Sequence, residues 1–281
     1  MKPIHVNNIE EIFNFSKLIF EGSDNSVFKV KEIKTNNYFT MKKNIYPIDI
    51  NKLNIFCDKI SNLNKIKNDC VIKCHNIFYE NSNGSYLMYF QFDFIDHCDL
   101  FDYLTNYDLS NEIKLNITEK LIDGLSIIHD HNILHGDVKL ENIMITEKLD
   151  IVYIDFDHSF DLDKNIKDQY PSFGGTFQYN GPEFINGRKE LISLNKEQFK
   201  KFDIWSLGIL ILHLFIEESL IHKDNYYEQI HTMRHKIVDY RDKLPENVYR
   251  ILYAIFDENL ETRPDVKQVQ NIFNLWKKLT K

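Results

Sequence analysis

The sequence is poor in the features that mark several common protein classes. It has only four cysteines, Cys57, Cys70, Cys74 and Cys98, in no paired zinc spacing. Nothing at its start reads as a secretory leader, so a disulfide framework is not expected and a reduced, intracellular and cytoplasmic compartment is. There is no excess of basic charge either. A formal net charge of -8, with both signs interspersed, leaves no dedicated nucleic-acid surface and no polybasic membrane anchor. The one long apolar run, "IWSLGILILHLFI" at residues 204–216, is shorter than the ~20 residues of a bilayer span and contains His213. It reads as a buried core helix. No internal repeat or low-complexity linker is visible.

What is present is enough apolar material for a sizeable core. Of 281 residues, 43% are hydrophobic, which suits one large domain or two lobes and excludes a disordered chain. Asn, Ile and Lys are abundant, as in an AT-rich genome such as that of a large DNA virus or an intracellular microbe. "SVFKVKEI", the turn "TNN" and "YFTMKK" predict a hairpin. "HNIFYENSNGSYLMYFQFDFI" predicts another, and between them Leu53, Phe56, Ile60 and Leu63 recur at helical spacing over residues 48–66. After Asp99 the pattern turns helical: Ile113, Ile117, Leu121, Leu125 and Ile128 share one face, and the chain beyond residue 190 is mostly helix. A small β-rich lobe followed by a larger α-rich lobe is implied, with a boundary near residues 92–98.

Five segments follow in order: "HGDVKLEN" (135–142), "YIDFD" (153–157), "GGTFQYNGPEF" (174–184), "FDIWSLG" (202–208) and "ETRP" (261–264). Together they resemble the protein kinase superfamily, Ser/Thr type, from about residue 14 to near the end. The resemblance implies an α+β, two-lobed protein-kinase-like fold. Its domain would span residues 14–281, with an N-lobe at 14–95 containing one main helix, a mostly α-helical C-lobe at 96–281, and an extension at 1–13. It also implies ATP and Mg²⁺ as cofactors and a protein Ser/Thr hydroxyl as acceptor, with no nucleic acid and no membrane insertion.

Transfer of a γ-phosphoryl group needs the nucleotide held, its charge neutralised and an acceptor hydroxyl in line. By the resemblance Asp137 is the base that orients the hydroxyl, Lys139 neutralises the transferring phosphate, and Asn142 and Asp155 bind Mg²⁺. Lys42 would contact the α- and β-phosphates. The nucleotide loop falls on Ile19, Phe20, Glu21, Gly22, Ser23, Asp24, Asn25, Ser26 and Val27, where only Gly22 and Val27 match the family's glycine-rich pattern. Asn25 stands at an outer glycine position as the side chain most tolerant of left-handed φ, while Phe20 fits less easily and implies weaker nucleotide binding. The backbone of Asp93 to Ile95 would bind adenine, with Phe92 behind it and Asp99 at the ribose.

Other departures bear on regulation. Asp157 replaces the glycine after Asp155 and Phe156, which implies a cost at positive φ, a less mobile motif and an extra carboxylate near the metal. No glutamate lies between Glu32 and Glu80 to pair with Lys42, and Asp58 is the nearest acidic candidate on the predicted helix. Gly136 replaces the arginine that would receive a phosphate at Ser172, so control by activation-loop phosphorylation is not expected. Thr176, Glu183, Asp203 and Arg263 are structural, with Glu183 and Arg263 a buried ion pair and Asp203 a brace for the catalytic loop. His129, His131 and His135 invite a metal reading, but the resemblance makes His135 a packing residue and places the other two at a helix end, where the dipole suits them.

Two alternatives stay open. Aminoglycoside- and choline-type kinases also use "HGD" followed by "IDFD", and Gly136 suits them, but they lack the platform around Thr176 and Glu183. A pseudokinase is the other, favoured by Phe20, Asn25, Asp157 and the missing helix glutamate.

Overall fold

Alternating apolar residues early in the chain pair as strands, each laying one face on a common core. The computed structural model describes residues 1–22, 25–44, 50–82, 85–164, 175–184, 194–216 and 230–279, in two units, Met1–Asp96 and His97–Lys281. In the first, β1 (Ile4–His5), β2 (Phe13–Glu21), β3 (Asn25–Glu32), β4 (Tyr38–Asn44), β5 (Cys74–Ser82) and β6 (Ser85–Asp93) form a sheet in the order β1-β5-β6-β4-β3-β2. Both expected hairpins are there. The β3–β4 turn carries Asn36 at φ +63°, a conformation asparagine tolerates, and the tip of the β5–β6 hairpin at residues 83 and 84 lies outside the described residues.

Residues 1–13, read from the sequence as an extension, enter this sheet. β1 pairs in parallel with β5, Ile4 opposite Phe78, and Val6 N–H donates to Tyr79 O at 3.0 Å. Ile9 and Phe13 are buried with Val30, Met41, Phe78 and Tyr89. Burying a side chain of this size contributes about 1.5–3 kcal/mol, enough to hold so short an edge strand. α1 (Ile50–Leu63) buries Ile60 and Leu63, and the Phe56 ring lies 6.0 Å from that of Phe90 on β6.

The second unit is mainly helical. Its elements are β7 (Cys98–Asp99), α2 (Leu100–Asn106), α3 (Asn111–Asp130), β8 (Ile133–Leu134), β9 (Ile143–Ile145), β10 (Ile151–Tyr153), β11 (Phe160–Asp161), α4 (Lys196–Phe215), α5 (Met233–Asp239), α6 (Glu246–Ile255) and α7 (Val266–Leu279). α4 starts at a capping box: Asn195 accepts from Gln198 N–H, and the Gln198 side chain accepts from Asn195 N–H. It is apolar on every side and buried from Phe202 to Leu212, the core helix expected from residues 204–216. Among the described residues no helix is long and apolar enough to cross a membrane. Two small ladders, β10-β9-β7 and β11-β8, hold the two loops that matter most. β8 and β9 flank residues 135–142; β10 and β11 flank residues 154–159.

Candidate active site

The loop 135–142 alternates apolar anchors with polar residues, and both sets are held. Val138, Leu140 and Ile143 are buried, while Asp203 of α4 receives the backbone at the loop's start. Its Oδ1 accepts from Gly136 N–H at 2.9 Å, and its Oδ2 from His135 N–H at 2.8 Å and His129 Nε2 at 2.9 Å. A carboxylate this deeply buried is tolerable because all these donors face it. His135 Nε2–H donates to Ile154 O at 3.0 Å, and its Nδ1 accepts from Asp137 N–H at 3.2 Å. That arrangement requires the neutral imidazole, and burial accordingly pushes its pKa below 6.5. The three histidines that invited a metal reading have other partners. His129 Nε2 bonds Asp203, both ring nitrogens of His135 are used within and beside the loop, His131 Nδ1 bonds Ile127 O, and the described residues hold no group of three or more His, Cys, Asp or Glu side chains placed around one point.

Asp137 is the centre of the arrangement. Oδ1 accepts from Thr176 N–H and from Thr176 Oγ1, both at 2.7 Å. Oδ2 accepts from Asn142 Nδ2 at 2.8 Å and Lys139 Nζ at 2.9 Å, and Lys139 Nζ also donates to Thr176 Oγ1 at 2.8 Å. Burial by itself would raise the carboxyl pKa, but the Lys139 charge and the hydrogen bonds from Lys139 and Thr176 outweigh it and hold the group below the usual carboxylate range. Asn142 gives its other amide hydrogen to Asp137 O at 2.8 Å, so both of its amide hydrogens are used on Asp137.

Asp155 lies beside Asn142 because Ile154 N–H donates to Asn142 O at 2.9 Å and Tyr153 pairs with Ile143. An amide oxygen at Asn142 and a carboxylate at Asp155 are hard oxygen donors, the chemical type Mg²⁺ takes. Here the structure corrects the expectation for Asp157. The left-handed residue is Asp155, at φ 59° and ψ 72°, while Asp157 sits inside a 3-10 turn at Phe156–His158. Aspartate at 157 therefore carries no positive-φ cost. Phe156 packs its ring 4.5 Å from that of His135.

Gly136 has a backbone reason beyond the lost arginine. Its φ is +79°, and a Cβ there would meet His158 O at 2.4 Å. Gly175, at φ +56°, would set a Cβ 2.5 Å from Gly136 O. Two glycines thus let the segments around His158 and Thr176 close on the loop 135–142. Ser172 lies outside the described residues.

The expected ion pair is present and bidentate. Arg263 Nη1 and Nη2 donate to Glu183 Oε1 and Oε2 at 2.9 Å each, Nε donates to Asp257 O at 2.9 Å, and the guanidinium lies over the Trp205 ring at 4.8 Å. Ser206 Oγ of α4 donates to Tyr179 O at 2.8 Å, a second tie to the same segment.

Among the residues expected at the nucleotide, Ile19 to Gly22, Asn25 to Val27, Lys42, Asp93 and Ile95 belong to the first unit; Ser23 and Asp24 lie outside the described residues. Gly22 N–H donates to Asn25 O at 2.9 Å. Asn25 is extended, opposite Asn44 on β4, so its tolerance of left-handed φ is not used. Phe20 is 55% exposed on β2. Lys42 is buried on β4 between Val27 and Phe90, and Asp58 is exposed on α1. Asp93 N–H donates to Lys73 O at 3.1 Å and its Oδ1 pairs with His75 Nε2 at 2.5 Å. Asp99, in the second unit, caps α2 by accepting from Asp102 N–H at 2.8 Å; burial pushes its carboxyl pKa up. His75, Ser206 and the role of His129 escape a reading of the sequence, since no local pattern links them to partners many residues away.

The family model for the protein kinase domain matches residues 13–273. A putative serine/threonine-protein kinase of Acanthamoeba polyphaga mimivirus is 27% identical over 278 residues, 93% of this chain and 90% of that protein. A meiosis-specific serine/threonine-protein kinase of Schizosaccharomyces pombe is 32% identical over 174 residues, covering 59% of this chain and 37% of that one. A serine/threonine-protein kinase of Arabidopsis thaliana is 25% identical over 256 residues, 90% of this chain and 51% of its own length.

Proposed function

We propose, from the premise that this chain belongs to the protein kinase family as a protein-serine/threonine kinase, that it transfers the γ-phosphoryl group of ATP to protein hydroxyls without control by an activation-loop phosphate. The observation that carries the reading is the closed set of bonds joining Asp137, Lys139, Asn142 and Thr176. Asp137, held ionised at neutral pH, orients the acceptor hydroxyl and takes its proton late, as a loose transition state allows. Lys139 places positive charge beside the transferring phosphate, and Thr176 keeps Lys139 and Asp137 in register. Bound Mg²⁺ would supply neutralisation of the phosphate charge, and Asn142 Oδ1 with Asp155 are the oxygens that would hold it. Lys42, the loop Ile19 to Val27, the backbone from Asp93 to Ile95 and Asp99 would hold ATP.

Independence from a loop phosphate is supported at Gly136. No cation stands there to receive a phosphate, and the tight packing among Gly136, His158 and Gly175 holds the segment by contact. The compartment we propose is intracellular, in keeping with cysteines that form no disulfide, such as Cys74, whose thiol is pushed up to about 12 by burial. A catalytically silent scaffold is the second reading, and exposed Phe20 in the nucleotide loop is the observation that favours it.

The test is purified protein with Mg²⁺ and labelled ATP, a panel of protein and small-molecule acceptors, and Asp137→Asn as control. Label on serine or threonine of a protein acceptor, lost in the variant, is the expected result. Equal labelling by the variant, or label only on an aminoglycoside or choline, overturns the reading; ATP binding without transfer supports the scaffold.

A further inference from the structure

Arginine is scarce in this chain. Of 34 lysines and arginines only Arg188, Arg234, Arg241, Arg250 and Arg263 are arginine, and Arg263 is consumed by its buried pair with Glu183. Arg234, Arg241 and Arg250 fall on α5, the turn at Arg241–Lys243 and α6, and the Tyr249 and Tyr253 rings they lie over are neighbours, 6.1 Å apart, on one face of the second unit. Each is stacked on an aromatic ring. Arg241 Cζ lies 4.9 Å and Arg250 Cζ 5.6 Å from the centre of the same Tyr249 ring. Arg250 is also 4.5 Å from the Trp276 ring, and Arg234 is 4.7 Å from that of Tyr253. In a chain that otherwise relies on lysine, this use of the planar cation marks a place where planarity and a fixed donor fork matter.

Arg241 and Arg250 also share one carboxylate. Arg250 Nε donates to Glu246 Oε1 at 2.7 Å and Arg241 Nη2 to Glu246 Oε2 at 3.5 Å. Among the described residues neither guanidinium donates to any further acceptor, so both terminal amino groups of Arg250 and most of the N–H groups of Arg241 have no protein acceptor, the side chains being 40% and 51% exposed. Two guanidiniums held on one ring and sharing the one carboxylate of Glu246 leave N–H donors of both close together. Stacking has already taken the rotamer entropy that binding would otherwise cost.

We propose that Arg241 and Arg250, held on Tyr249 and Trp276, form a docking site for a phosphorylated segment of a partner protein. A phosphate takes paired N–H donors from guanidinium groups, and two that share the Glu246 carboxylate are close enough to offer them to one phosphate. Exposed apolar surface lies beside it for the flanking peptide: Tyr253 is 42% and Val238 48% exposed, Val238 one helical turn from Arg234. Asp239 and Asp242 interrupt the face, which disfavours a flat anionic bilayer and leaves room for a single phosphate. The site is remote in sequence from the residues of the proposed reaction and is read without ATP, so it stands or falls separately from catalysis.

The experiment is fluorescence anisotropy of the full chain with a labelled nonapeptide carrying one phosphoserine, beside the same peptide with serine and with glutamate, and with phosphatidylserine vesicles as competitor. Expected are at least tenfold tighter binding of the phosphopeptide than of the serine peptide, a fivefold or greater loss in Arg241→Lys and in Arg250→Lys, and a severalfold gain in Glu246→Gln. The gain is the discriminating result, because a folding defect weakens binding and removal of a competing carboxylate strengthens it. No preference for the phosphopeptide, wild-type binding by both lysine variants, or weaker binding by Glu246→Gln overturns the proposal. Binding of the glutamate peptide equal to the phosphopeptide, or displacement by vesicles with no peptide binding, overturns the phosphate or protein assignment respectively.

Discussion

Thr176 reaches one oxygen of Asp137 twice, through its backbone N–H and its hydroxyl, each at 2.7 Å, and the same hydroxyl accepts from Lys139. The hydroxyl therefore does two things: it lowers the basicity of Asp137 and fixes Lys139. Thr176→Val keeps the backbone bond and the volume but loses both side-chain bonds. A hydrogen bond to a charged group is worth about 1.5–3 kcal/mol, so kcat should fall roughly tenfold or more with KM for the protein acceptor little changed, and Thr176→Ser should recover most of it. A fall confined to KM would contradict this role.

His135 makes stability depend on pH. Burial lowers its folded pKa below the unfolded value of 6.5, so the unfolded chain binds the proton more readily. Stability is then complete above the unfolded pKa and is lost as pH falls below it, by up to about 1.4 kcal/mol per pH unit until the folded pKa is reached. His213, also lowered by burial, acts in the same direction. Urea midpoints should drop between about pH 7.5 and pH 5. The drop should be shallower in His213→Gln, whose side chain does not titrate.

Glu183→Gln leaves the Arg263 guanidinium buried against a neutral partner. Removing one charge of such a pair costs about 3–5 kcal/mol, with the bonds to Asp257 O and Lys201 O retaining part of the anchorage. Arg263→Lys should be almost as damaging, since an ammonium cannot make the bidentate contact or stack on Trp205. Chemical denaturation of both variants checks the order.

Gly136→Ala should destabilise by at least about 1–2 kcal/mol from the left-handed backbone alone, and by more because the new Cβ meets His158 O. Gly136→Arg, which restores the family's residue, should be at least as unstable and should not make activity depend on a phosphate at Ser172. A stable Gly136→Arg protein activated by prior phosphorylation would show that the packing argument is wrong.

Much of this molecule was readable from the order of its residues. Both hairpins and α3 follow from periodicities that reach only a few residues along the chain, α4 follows from one unbroken apolar run, and the fold they imply is the one observed. Asp137, Lys139 and Asn142 are neighbours in sequence and come together on one short loop for that reason. Other features were out of reach. That Asp155, and not Asp157, takes the left-handed backbone is decided by the 3-10 turn after it, and that Asn25 stays extended is decided by its pairing with Asn44. Residues 1–13 join the sheet because β5 offers an unpaired edge and Ile9 a place in the core. The sequence by itself determined the lobes and the identity of the polar residues, because hydrophobic period and short motifs are local. Only the tertiary structure decided that Asp203 gathers His129, His135 and Gly136, and that Gly136 must remain glycine against His158, because those bonds and contacts join segments distant along the chain and exist only once it has closed on itself.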